Sequence, residues 1–242
     1  MTNAIILSAG QGKRLLPLTE TRPKCMLAVA GKTILEWQVQ ALLAAGIGRV
    51  FIITGFNSDL VEEHINDRFG ADTDRIDIIF NPFYGVSDNL ASCWMGRHAM
   101  DDDFLLLNGD TLFEPALLDS VLASPAAPVT LTIDFKDSYD NDDMRVDLRD
   151  SMVKAVGKTL PDEHTMAESI GLLYFRGNGP ALFREHLDRQ MKQGDGLRLW
   201  FLSVVDMLAK QSLVRACSIN GHRWCEIDFK RDLEKAGSVV LP

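Results

Sequence analysis

The chain has 242 residues, of which 46% are apolar and 24% charged, and its formal net charge is −9. This length and composition are typical of a soluble globular protein whose core is large enough to fold without disulfide or metal staples. The acidic balance argues against nucleic acid and anionic membranes as main partners, because both favour positively charged surfaces. A small phosphate site is compatible with it, since such a site needs only a few local cations.

The N-terminal segment has neither a basic region nor a small-residue cleavage site, and no apolar run reaches the roughly 20 residues that a membrane-spanning helix needs. None of the four cysteines forms a C-x-x-C pair, which favours reduced thiols. We therefore expect a cytoplasmic protein with no membrane insertion.

The first half of the chain alternates between apolar strands and amphipathic helices. Glycine or polar residues separate these elements, and Ser58 is predicted to cap the second helix. The alternation predicts an α/β fold with a Rossmann-like, mostly parallel sheet flanked by helices. Strands are predicted over 3–7, 49–54, 77–80 and 104–107, and helices over 33–45, 58–68 and 89–100.

The second half has strand-like alternation with few helices between the strands. The two strands on either side of residues 149–151 predict a hairpin. This pattern predicts a mixed α+β extension of the same sheet. Strands are predicted over 128–135, 145–148, 152–156, 170–175, 213–219 and 223–227, and helices over 180–193, 197–210 and 229–236.

The strongest local signal is the segment Leu7-Ser8-Ala9-Gly10-Gln11-Gly12-Lys13-Arg14, which follows the first strand. Glycine lets backbone N–H groups turn toward a phosphate, and Lys13 and Arg14 add positive charge at once. The segment is not a Walker A loop. It is also a poor Rossmann fingerprint, because Leu15 stands at the third glycine position. Taken alone, the loop also fits a plain strand-to-helix turn.

Two further segments carry candidate chemistry in the first half. Pro23 fixes the backbone next to Lys24, and Asn108-Gly109-Asp110 ends the strand predicted over 104–107. Ligands of open parallel sheets bind beyond the carboxyl ends of the strands, so we expect Asp110 on the same rim as the glycine loop. Taken alone, Lys24 also fits a solvated lysine and Asp110 a solvated turn.

The glycine loop and the pair Pro23-Lys24 together resemble the nucleotidyltransferase family that makes activated sugars and activated phospho-alcohols. Its members have a strand, a glycine loop ending in Arg, and Pro-Lys about ten residues later. Asn108-Gly109-Asp110, Glu168-Ser169-Ile170-Gly171 and Glu226-Ile227-Asp228 agree with later motifs of that family. The resemblance covers nearly the whole chain. It implies a GT-A-like fold in one domain, 1–242, with a nucleotide-binding half (1–112) and an acceptor-binding half (113–242).

The resemblance implies an in-line attack on the α-phosphorus of a nucleotide, with pyrophosphate leaving and Mg²⁺ as cofactor. Asp110 and Asp228 are expected to bind the metal, with Glu226 as a helper. Arg14 is expected to neutralise the leaving pyrophosphate, and Lys24 to steady the α-phosphate or the incoming phosphate. The nucleotide-binding residues are expected to be Leu7, Ala9, Gly10, Gln11, Gly12, Lys13, Asn89, Ser92 and Asn108.

The segment 88–94 indicates the subfamily. It lacks the glycine-rich loop that is usual in sugar-1-phosphate members, and its Asn89-x-x-Ser92 pattern resembles the phosphocholine cytidylyltransferase branch. The ending Glu226-Ile227-Asp228, followed by Arg231-Asp232-Leu233, resembles the same branch. This resemblance implies CTP as the nucleotide. Asn89 and Ser92 also fit a helix cap and a helix-surface residue.

The acceptor is less constrained by the sequence. A quaternary ammonium group is expected among aromatic faces beside an acid, so Trp200 and Phe201 favour phosphocholine, although both also fit the core side of a helix. Arg145 and Arg198 favour instead an anionic acceptor, such as a phosphorylated hydroxy acid or polyol. The acceptor-binding residues are expected to be Arg145, Lys158, Glu168, Arg198 and Trp200.

Three functions therefore compete. The first is Mg²⁺-dependent transfer of a cytidylyl group from CTP to a small phospho-alcohol or phosphonate. The second is a sugar-1-phosphate nucleotidyltransferase that uses UTP, dTTP or GTP. The third is a non-catalytic nucleotide-binding regulator, which would have no physical need for Arg14, Lys24 and both metal-binding acids.

Overall fold

The computed structural model describes residues 2–241. Short 3₁₀ turns lie at Lys13–Leu15, Lys24–Met26, Gly70–Arg75, Arg97–Ala99, Asp162–His164 and Gly196–Arg198. The helices are α1 (Ile34–Ala44), α2 (Ser58–Phe69), α3 (Asn89–Met95), α4 (Ala116–Leu122), α5 (Gly179–Met191), α6 (Leu202–Lys210) and α7 (Lys230–Val240). The strands are β1 (Asn3–Ser8), β2 (Ala28–Val29), β3 (Lys32–Thr33), β4 (Val50–Thr54), β5 (Ile76–Phe80), β6 (Phe104–Asn108), β7 (Thr111–Phe113), β8 (Val129–Asp134), β9 (Arg145–Arg149), β10 (Met152–Val156), β11 (Ala167–Phe175), β12 (Val214–Ser218) and β13 (Trp224–Glu226).

One nine-stranded sheet runs through both halves of the chain, in the order β5-β4-β1-β6-β11-β8-β12-β10-β9. Strands β5, β4, β1 and β6 are parallel, whereas β11 runs antiparallel to both β6 and β8. Two small ribbons, β2-β3 and β7-β13, stand outside this sheet. The prediction of a mixed, mostly parallel sheet with an α+β extension is confirmed.

The sheet is buried on both faces. Alternate residues of its central strands point to opposite sides, and helices cover each side. On one side, Ile5 of β1 and Leu106 of β6 pack against α3, α5 and α6. On the other side, Ile6 and Leu107 pack against α1, α2 and α4. The near-continuous apolar runs of these strands therefore reflect burial on two faces, and no helix within residues 2–241 is long and apolar enough to cross a bilayer.

Helix α1 begins where the sequence predicts it, at a capping box. The Thr33 hydroxyl accepts a hydrogen bond from the Glu36 backbone N–H at 3.0 Å, and the Glu36 carboxylate accepts one from the Thr33 N–H at 2.7 Å. These two bonds satisfy backbone donors that have no partner within the first turn of a helix. The pair thereby fixes the helix that packs beneath β1.

The predicted helix over 197–210 is wrong in its first turn, because α6 begins only at Leu202. The preceding backbone is held by α3 instead. The carbonyl of Leu197 accepts a bond from the Asp88 N–H, and the Asn89 side chain accepts one from the Phe201 N–H. This pairing accompanies an extended backbone at Leu199, which separates the 3₁₀ turn at Gly196–Arg198 from α6, and it places Trp200 at the sheet rim.

Other boundaries also differ from the sequence predictions. The helix predicted over 89–100 ends at Met95, just before Gly96. Asn57, with a φ of 48°, precedes α2, and the Ser58 hydroxyl bonds the Thr54 hydroxyl at 2.7 Å, so Ser58 does not cap the helix. Helix α4 and the strands β2, β3 and β7 were not predicted, because each is short and its pattern is ambiguous.

Candidate active site

The carboxyl ends of β1 and β6 form the floor of the candidate site. The two strands are parallel neighbours, so the loop after β1 and the turn after β6 lie on one rim. The Gly109 N–H donates to the Leu7 carbonyl at 3.0 Å. A Cβ at Gly109 would come within 2.5 Å of that oxygen, so only glycine fits this turn. The close approach carries Asp110 over the end of β1.

The β7-β13 ribbon brings the remaining acids to Asp110. Its antiparallel register pairs Glu226 with Thr111, and the Ile227 N–H donates to the Asp110 carbonyl at 3.1 Å. Carboxylate oxygens of Asp110, Glu226 and Asp228 consequently lie within 4.8 Å of one another. Three acids that are distant in the chain are therefore gathered by one short ribbon.

Two cations lie against this acidic cluster. Lys24 Nζ is 2.7 Å from Asp110 Oδ2 and 2.7 Å from Asp228 Oδ1, while an Arg14 guanidinium nitrogen is 2.8 Å from Asp228 Oδ2. Burial alone would lower the pKa of Lys24, but the two carboxylates outweigh it and raise the pKa above its ordinary value. Lys24 is therefore charged at any physiological pH.

The glycine loop positions these cations. Gly12 has a φ of 80° and packs its Cα directly on the Lys24 side chain, where a Cβ would lie 2.9 Å from the Lys24 Cβ. The Gly12 carbonyl accepts a bond from the buried Thr19 hydroxyl at 2.8 Å, and the Gln11 side chain donates to the Thr19 carbonyl. The loop thus folds back on itself and holds Lys24 beneath it.

The acidic cluster has the donor set of a magnesium site. Asp110 Oδ1 is buried and finds no hydrogen-bond partner among residues 2–241. Solvent reaches Glu226, but the enclosing cleft partly desolvates it, and with the carboxylates of Asp110 and Asp228 this raises its pKa. Mg²⁺ favours carboxylate oxygens, so the residues fit this ion.

Two cavities share all three acids of the cluster. The larger, of about 610 Å³, lies over the glycine loop and is walled by Tyr84, Gly85 and Asp88. The second, of about 370 Å³, lies between the β9-β10 hairpin, the beginning of β11 and Trp200. Gly10, Arg14, Asp110, Glu226 and Asp228 line both cavities.

The second cavity carries more acidic groups than the sequence indicates. Asp142 and Asp143 enter from the loop before β9, and Glu168 enters from the beginning of β11. Lys158 follows β10 and lies 3.7 Å from Asp142 and 4.9 Å from the centre of the Trp200 ring. The Arg14 guanidinium also reaches Asp142, at 3.3 Å, so the loop before β9 contacts cations of both cavities.

The structure brings together most of the residues that the sequence singles out, although not always where expected. Ala9 and Ser92 are buried outside both cavities, and Ser92 accepts a hydrogen bond from the buried Asn81 side chain at 3.0 Å. Leu7, Asn89 and Asn108 line the second cavity, whereas the sequence assigns them to the nucleotide. The larger cavity is lined by Gly10, Gln11, Gly12, Lys13, Arg14 and Lys24, and the second also by Lys158, Glu168 and Trp200.

Two predicted acceptor-binding arginines are not brought to the second cavity. The buried Arg145 guanidinium turns toward the loop before β11 and donates to the Leu160 carbonyl and the Asp162 carboxylate. Arg198 is exposed on a 3₁₀ turn and lines neither cavity. The prediction of an anionic acceptor rested on these two arginines, and neither of them lines either cavity.

Several lining residues were missed by sequence reasoning. Tyr84 enters the larger cavity from an irregular segment whose tip is held by Asn81, and Asp142 and Asp143 enter the second cavity from another loop. Loop side chains of this kind leave no periodic pattern. The available signal was local, namely an aromatic beside glycine at Tyr84-Gly85 and a dense run of acids over 137–143.

The model of the family described as "Nucleotidyl transferase" matches residues 3–142, which is more than half of the chain. The chain belongs to this family. The predicted family membership is thereby confirmed, and the protein is a nucleotidyltransferase. The matched region contains the glycine loop, Lys24 and Asp110, whereas Glu226 and Asp228 lie beyond it.

Two similar curated proteins match along nearly their whole length. The CTP:phosphoglutamine cytidylyltransferase of Campylobacter jejuni is 25% identical and covers 96% of this chain and 98% of its own. The choline-phosphate cytidylyltransferase of Streptococcus pneumoniae is 22% identical, with 98% and 97% covered. The CMP-5'-(3-aminopropyl)phosphonate synthase of Streptomyces rubellomurinus is 34% identical over 124 residues, but this chain covers only 19% of that protein.

Solved structures show the same fold at low sequence identity. The inositol-1-phosphate CTP transferase of T. maritima superimposes with a TM-score of 0.80 at 19% identity, covering 99% of this chain and 98% of that one. The CTP:phosphocholine cytidylyltransferase of Streptococcus pneumoniae gives 0.81 at 22% identity, with 98% of each chain covered. The expected nucleotidyltransferase fold is thus confirmed.

Proposed function

We propose that the protein transfers a cytidylyl group from CTP to a small phospho-alcohol or phosphonate and releases pyrophosphate. The observation that carries this proposal is the meeting of two cavities at one set of charged groups, Arg14, Asp110, Glu226 and Asp228. Transfer between two substrates requires that both reach one reacting centre from separate sides. We assign the larger cavity to the nucleotide and the second cavity to the acceptor.

In the larger cavity, the backbone of residues 10–12 and the side chains of Lys13 and Arg14 would hold the triphosphate. Arg14 would neutralise charge on the leaving pyrophosphate, where negative charge grows in the transition state. We assign most nucleotide contacts to residues 1–112 and most acceptor contacts to residues 113–242, within one domain.

The reaction needs no covalent enzyme intermediate. An oxygen of the acceptor phosphate attacks the α-phosphorus and forms a new P–O bond, while the bond from that phosphorus to the bridging oxygen breaks and pyrophosphate leaves. The attacking oxygen is already an anion, so no general base is required. Lys24, held at 2.7 Å from two of the acids, would steady the α-phosphate or the incoming phosphate.

Mg²⁺, held by Asp110 and Asp228 with help from Glu226, would supply positive charge for the phosphates. The buried, unpartnered Asp110 Oδ1 supports this assignment, because a metal ligand is the partner it lacks among the described residues. Without a divalent ion, the three carboxylates would repel an incoming triphosphate, and Lys24 and Arg14 compensate them only in part.

The preference for CTP is supported by the relatives of full-length similarity, whose names specify cytidylyl transfer. Cytosine differs from uracil by an N4 amino donor in place of a carbonyl. A protein oxygen in the larger cavity that accepts from this donor would be left unpaired by uracil. That loss costs about 1–3 kcal/mol, or roughly 5–150-fold in rate.

A panel of pyrophosphate-release assays tests the proposal. Each of CTP, UTP, dTTP and GTP is combined with Mg²⁺ and with phosphocholine, aminoethyl phosphate, 2-aminoethylphosphonate, 3-phosphoglycerate or glucose 1-phosphate. We expect release with CTP and at least one of the four non-sugar acceptors. Faster release from glucose 1-phosphate with UTP or dTTP would show the sugar-type activity instead, and CTP binding without release from any acceptor would show a regulator.

A further inference from the structure

We propose that the acceptor carries a primary ammonium group at the end opposite its phosphate or phosphonate, and that Asp143 and Glu168 bind this group. The inference rests on the proposed function and names the substrate class of the second cavity. It arises from the charges that line this cavity, which differ from those that the sequence predicts.

The cations of the second cavity indicate where the phosphate end of the acceptor would bind. Arg14 lines both cavities and lies 2.8 Å from Asp228, and Lys158 lines the second cavity together with Glu226 and Asp228. Among the described residues these are the two cations of the second cavity, so the attacking phosphate is expected beside them. Both contact Asp142, at 3.3 and 3.7 Å, so an acceptor phosphate would take over the place of that carboxylate.

The second cavity also has carboxylates in excess of its cations. Lys136 Nζ lies 2.6 Å from Glu168 Oε1 and 3.2 Å from Asp143 Oδ1, so one lysine faces two acids. The angles of a hydrogen bond are met at Asp143 and not at Glu168 Oε1, which is buried and finds no hydrogen-bond partner among residues 2–241. The Glu168 side chain is only 4% exposed, so this deficit is poorly screened by water.

The excess of carboxylates favours a positively charged group on the acceptor. A second anionic group on the acceptor would face Asp143 and Glu168 with one lysine to share, and like charges across a desolvated contact reject a ligand. Arg145 and Arg198, which would reverse this balance, lie outside the cavity. One positive charge on the acceptor restores neutrality.

The chemistry of the wall favours a primary ammonium over a quaternary one. Carboxylate oxygens bind N–H donors through charge-assisted hydrogen bonds, and a quaternary ammonium has no N–H to donate. A quaternary group is instead held by several aromatic faces. Trp200 is the single aromatic residue lining this cavity in the part of the chain that the structure describes, and Lys158 already faces its ring at 4.9 Å. Trp224 and Phe229 line an adjoining cavity that shares Asp143 and Glu168, and two arginines already face the Phe229 ring.

Matched acceptors test the inference with CTP held constant. Aminoethyl phosphate carries the amine on a phosphate ester, and 2-aminoethylphosphonate carries it on a phosphonate. Comparing the two shows which class of acceptor the enzyme uses. Ethyl phosphate lacks the charge, phosphocholine replaces the N–H groups by methyls, and 3-phosphoglycerate carries a carboxylate. We expect kcat/KM for one of the amines to exceed that for each of the other three by about ten-fold or more.

Two variants locate the effect. Glu168→Gln and Asp143→Asn should each raise KM for the aminated acceptor by about ten- to a hundred-fold, while KM for ethyl phosphate and for CTP stays unchanged. A merely structural role would move all three values together. Glu163→Gln, on the exposed 3₁₀ turn outside both cavities, is the matched control and should change none of them.

The outcomes separate the two proposals. Pyrophosphate release from CTP that is fastest with phosphocholine, ethyl phosphate or 3-phosphoglycerate would overturn this inference and leave the proposed function standing. Equal losses with ethyl phosphate and the amine in both variants would overturn it as well. If CTP gives no release with any acceptor of either panel, the proposed function fails, and this inference fails with it.

Discussion

The two cavities of the site are built in different ways. The larger is lined mainly by one continuous stretch, residues 10–15, and by Tyr84, Gly85 and Asp88 of a second segment. The second is lined by short runs from distant parts of the chain, among them 108–110, 142–144 and 168–171. A cavity built around one loop leaves a single contiguous motif in the sequence, whereas one gathered from distant segments leaves several short ones.

Their charges differ as well. Lys13, Arg14 and Lys24 face the larger cavity, as a triphosphate requires. The second cavity combines the cations Arg14 and Lys158 with the carboxylates of Asp142, Asp143 and Glu168. The protein thus offers one substrate a positively charged cradle and the other a site lined by charges of both signs.

The largest effect is expected where the cavities meet. Asp110→Asn and Asp228→Asn should each lower kcat about a hundred-fold or more, because each removes a carboxylate from the metal-binding set at the reacting centre. Pyrophosphate release under saturating CTP and acceptor measures this loss, and thermal unfolding shows that the fold is retained. Asp119→Asn, at an exposed position of α4, is the control. Near-full activity of either variant would remove that residue from the metal site.

The next effect belongs to the larger cavity alone. Gly12→Val forces a branched side chain into a positive φ and against Lys24, so turnover with every acceptor should fall strongly. Gly31→Val shares the positive φ but meets no atom within 4 Å, so it isolates the strain of the backbone.

Both glycine variants should lose about 1–2 kcal/mol of stability from that strain, with little loss of activity at Gly31. Denaturant unfolding and pyrophosphate release are the two measurements. Equal loss of activity in both variants would show that the contact with Lys24 does not matter.

The Glu168 carboxyl of the second cavity should show in the pH dependence of stability. Burial, against the opposing effect of Lys136, raises the pKa of Glu168 from 4.5 to about 7, and nearby Asp143 adds to the rise. Between pH 4.5 and 7 the folded protein keeps a proton that the unfolded chain releases, so Glu168 makes the protein less stable as pH rises through this range.

Glu168→Gln removes this titration, so the melting temperature of the variant relative to the unmodified protein should rise between pH 5 and pH 8, by about 5–10 °C. Thermal unfolding without ligands at the two pH values measures the gain, and Glu163→Gln controls for loss of an exposed charge. A gain that is equal at pH 5 and pH 8 would contradict the raised pKa.

The smallest effect separates two cations that the sequence treats alike. Arg198→Ala should leave KM for every acceptor within about two-fold, because Arg198 is exposed and lines neither cavity. Lys158→Ala should raise KM for the acceptor, since Lys158 lines the second cavity. Steady-state kinetics on the preferred acceptor distinguish the two variants. A selective loss with Arg198→Ala would return the anionic acceptor to consideration.

The sequence predicts most of the strands and helices and the glycine-loop residues of the larger cavity, because both depend on local pattern. Buried strands are apolar throughout, and the loop of Gly10 and Gly12 is contiguous with its cations. The acids Asp110 and Asp228 were found through resemblance. Their approach depends on the pairing of β7 with β13, and the three-residue strand β7 is too short to produce a period.

The acceptor side could not be predicted for a physical reason. Whether a charged residue faces a cavity depends on the partners that its side chain finds. Arg145 finds the Leu160 carbonyl and Asp162, while Asp143 is presented to the cavity by its loop. The sequence shows which residues are charged, but not which partners compete for each side chain. That competition decides where the side chain points.

The β7-β13 ribbon has a consequence for how the enzyme is made. Its two strands lie nearly half of the chain apart, so closing this ribbon carries a large loop entropy, and it has the greatest sequence separation of the strand pairings among the described residues. A chain growing from its N-terminus can order the glycine loop, Lys24 and the parallel strands well before Glu226 and Asp228 exist. Acquisition of activity during synthesis or refolding should therefore lag behind the appearance of secondary structure.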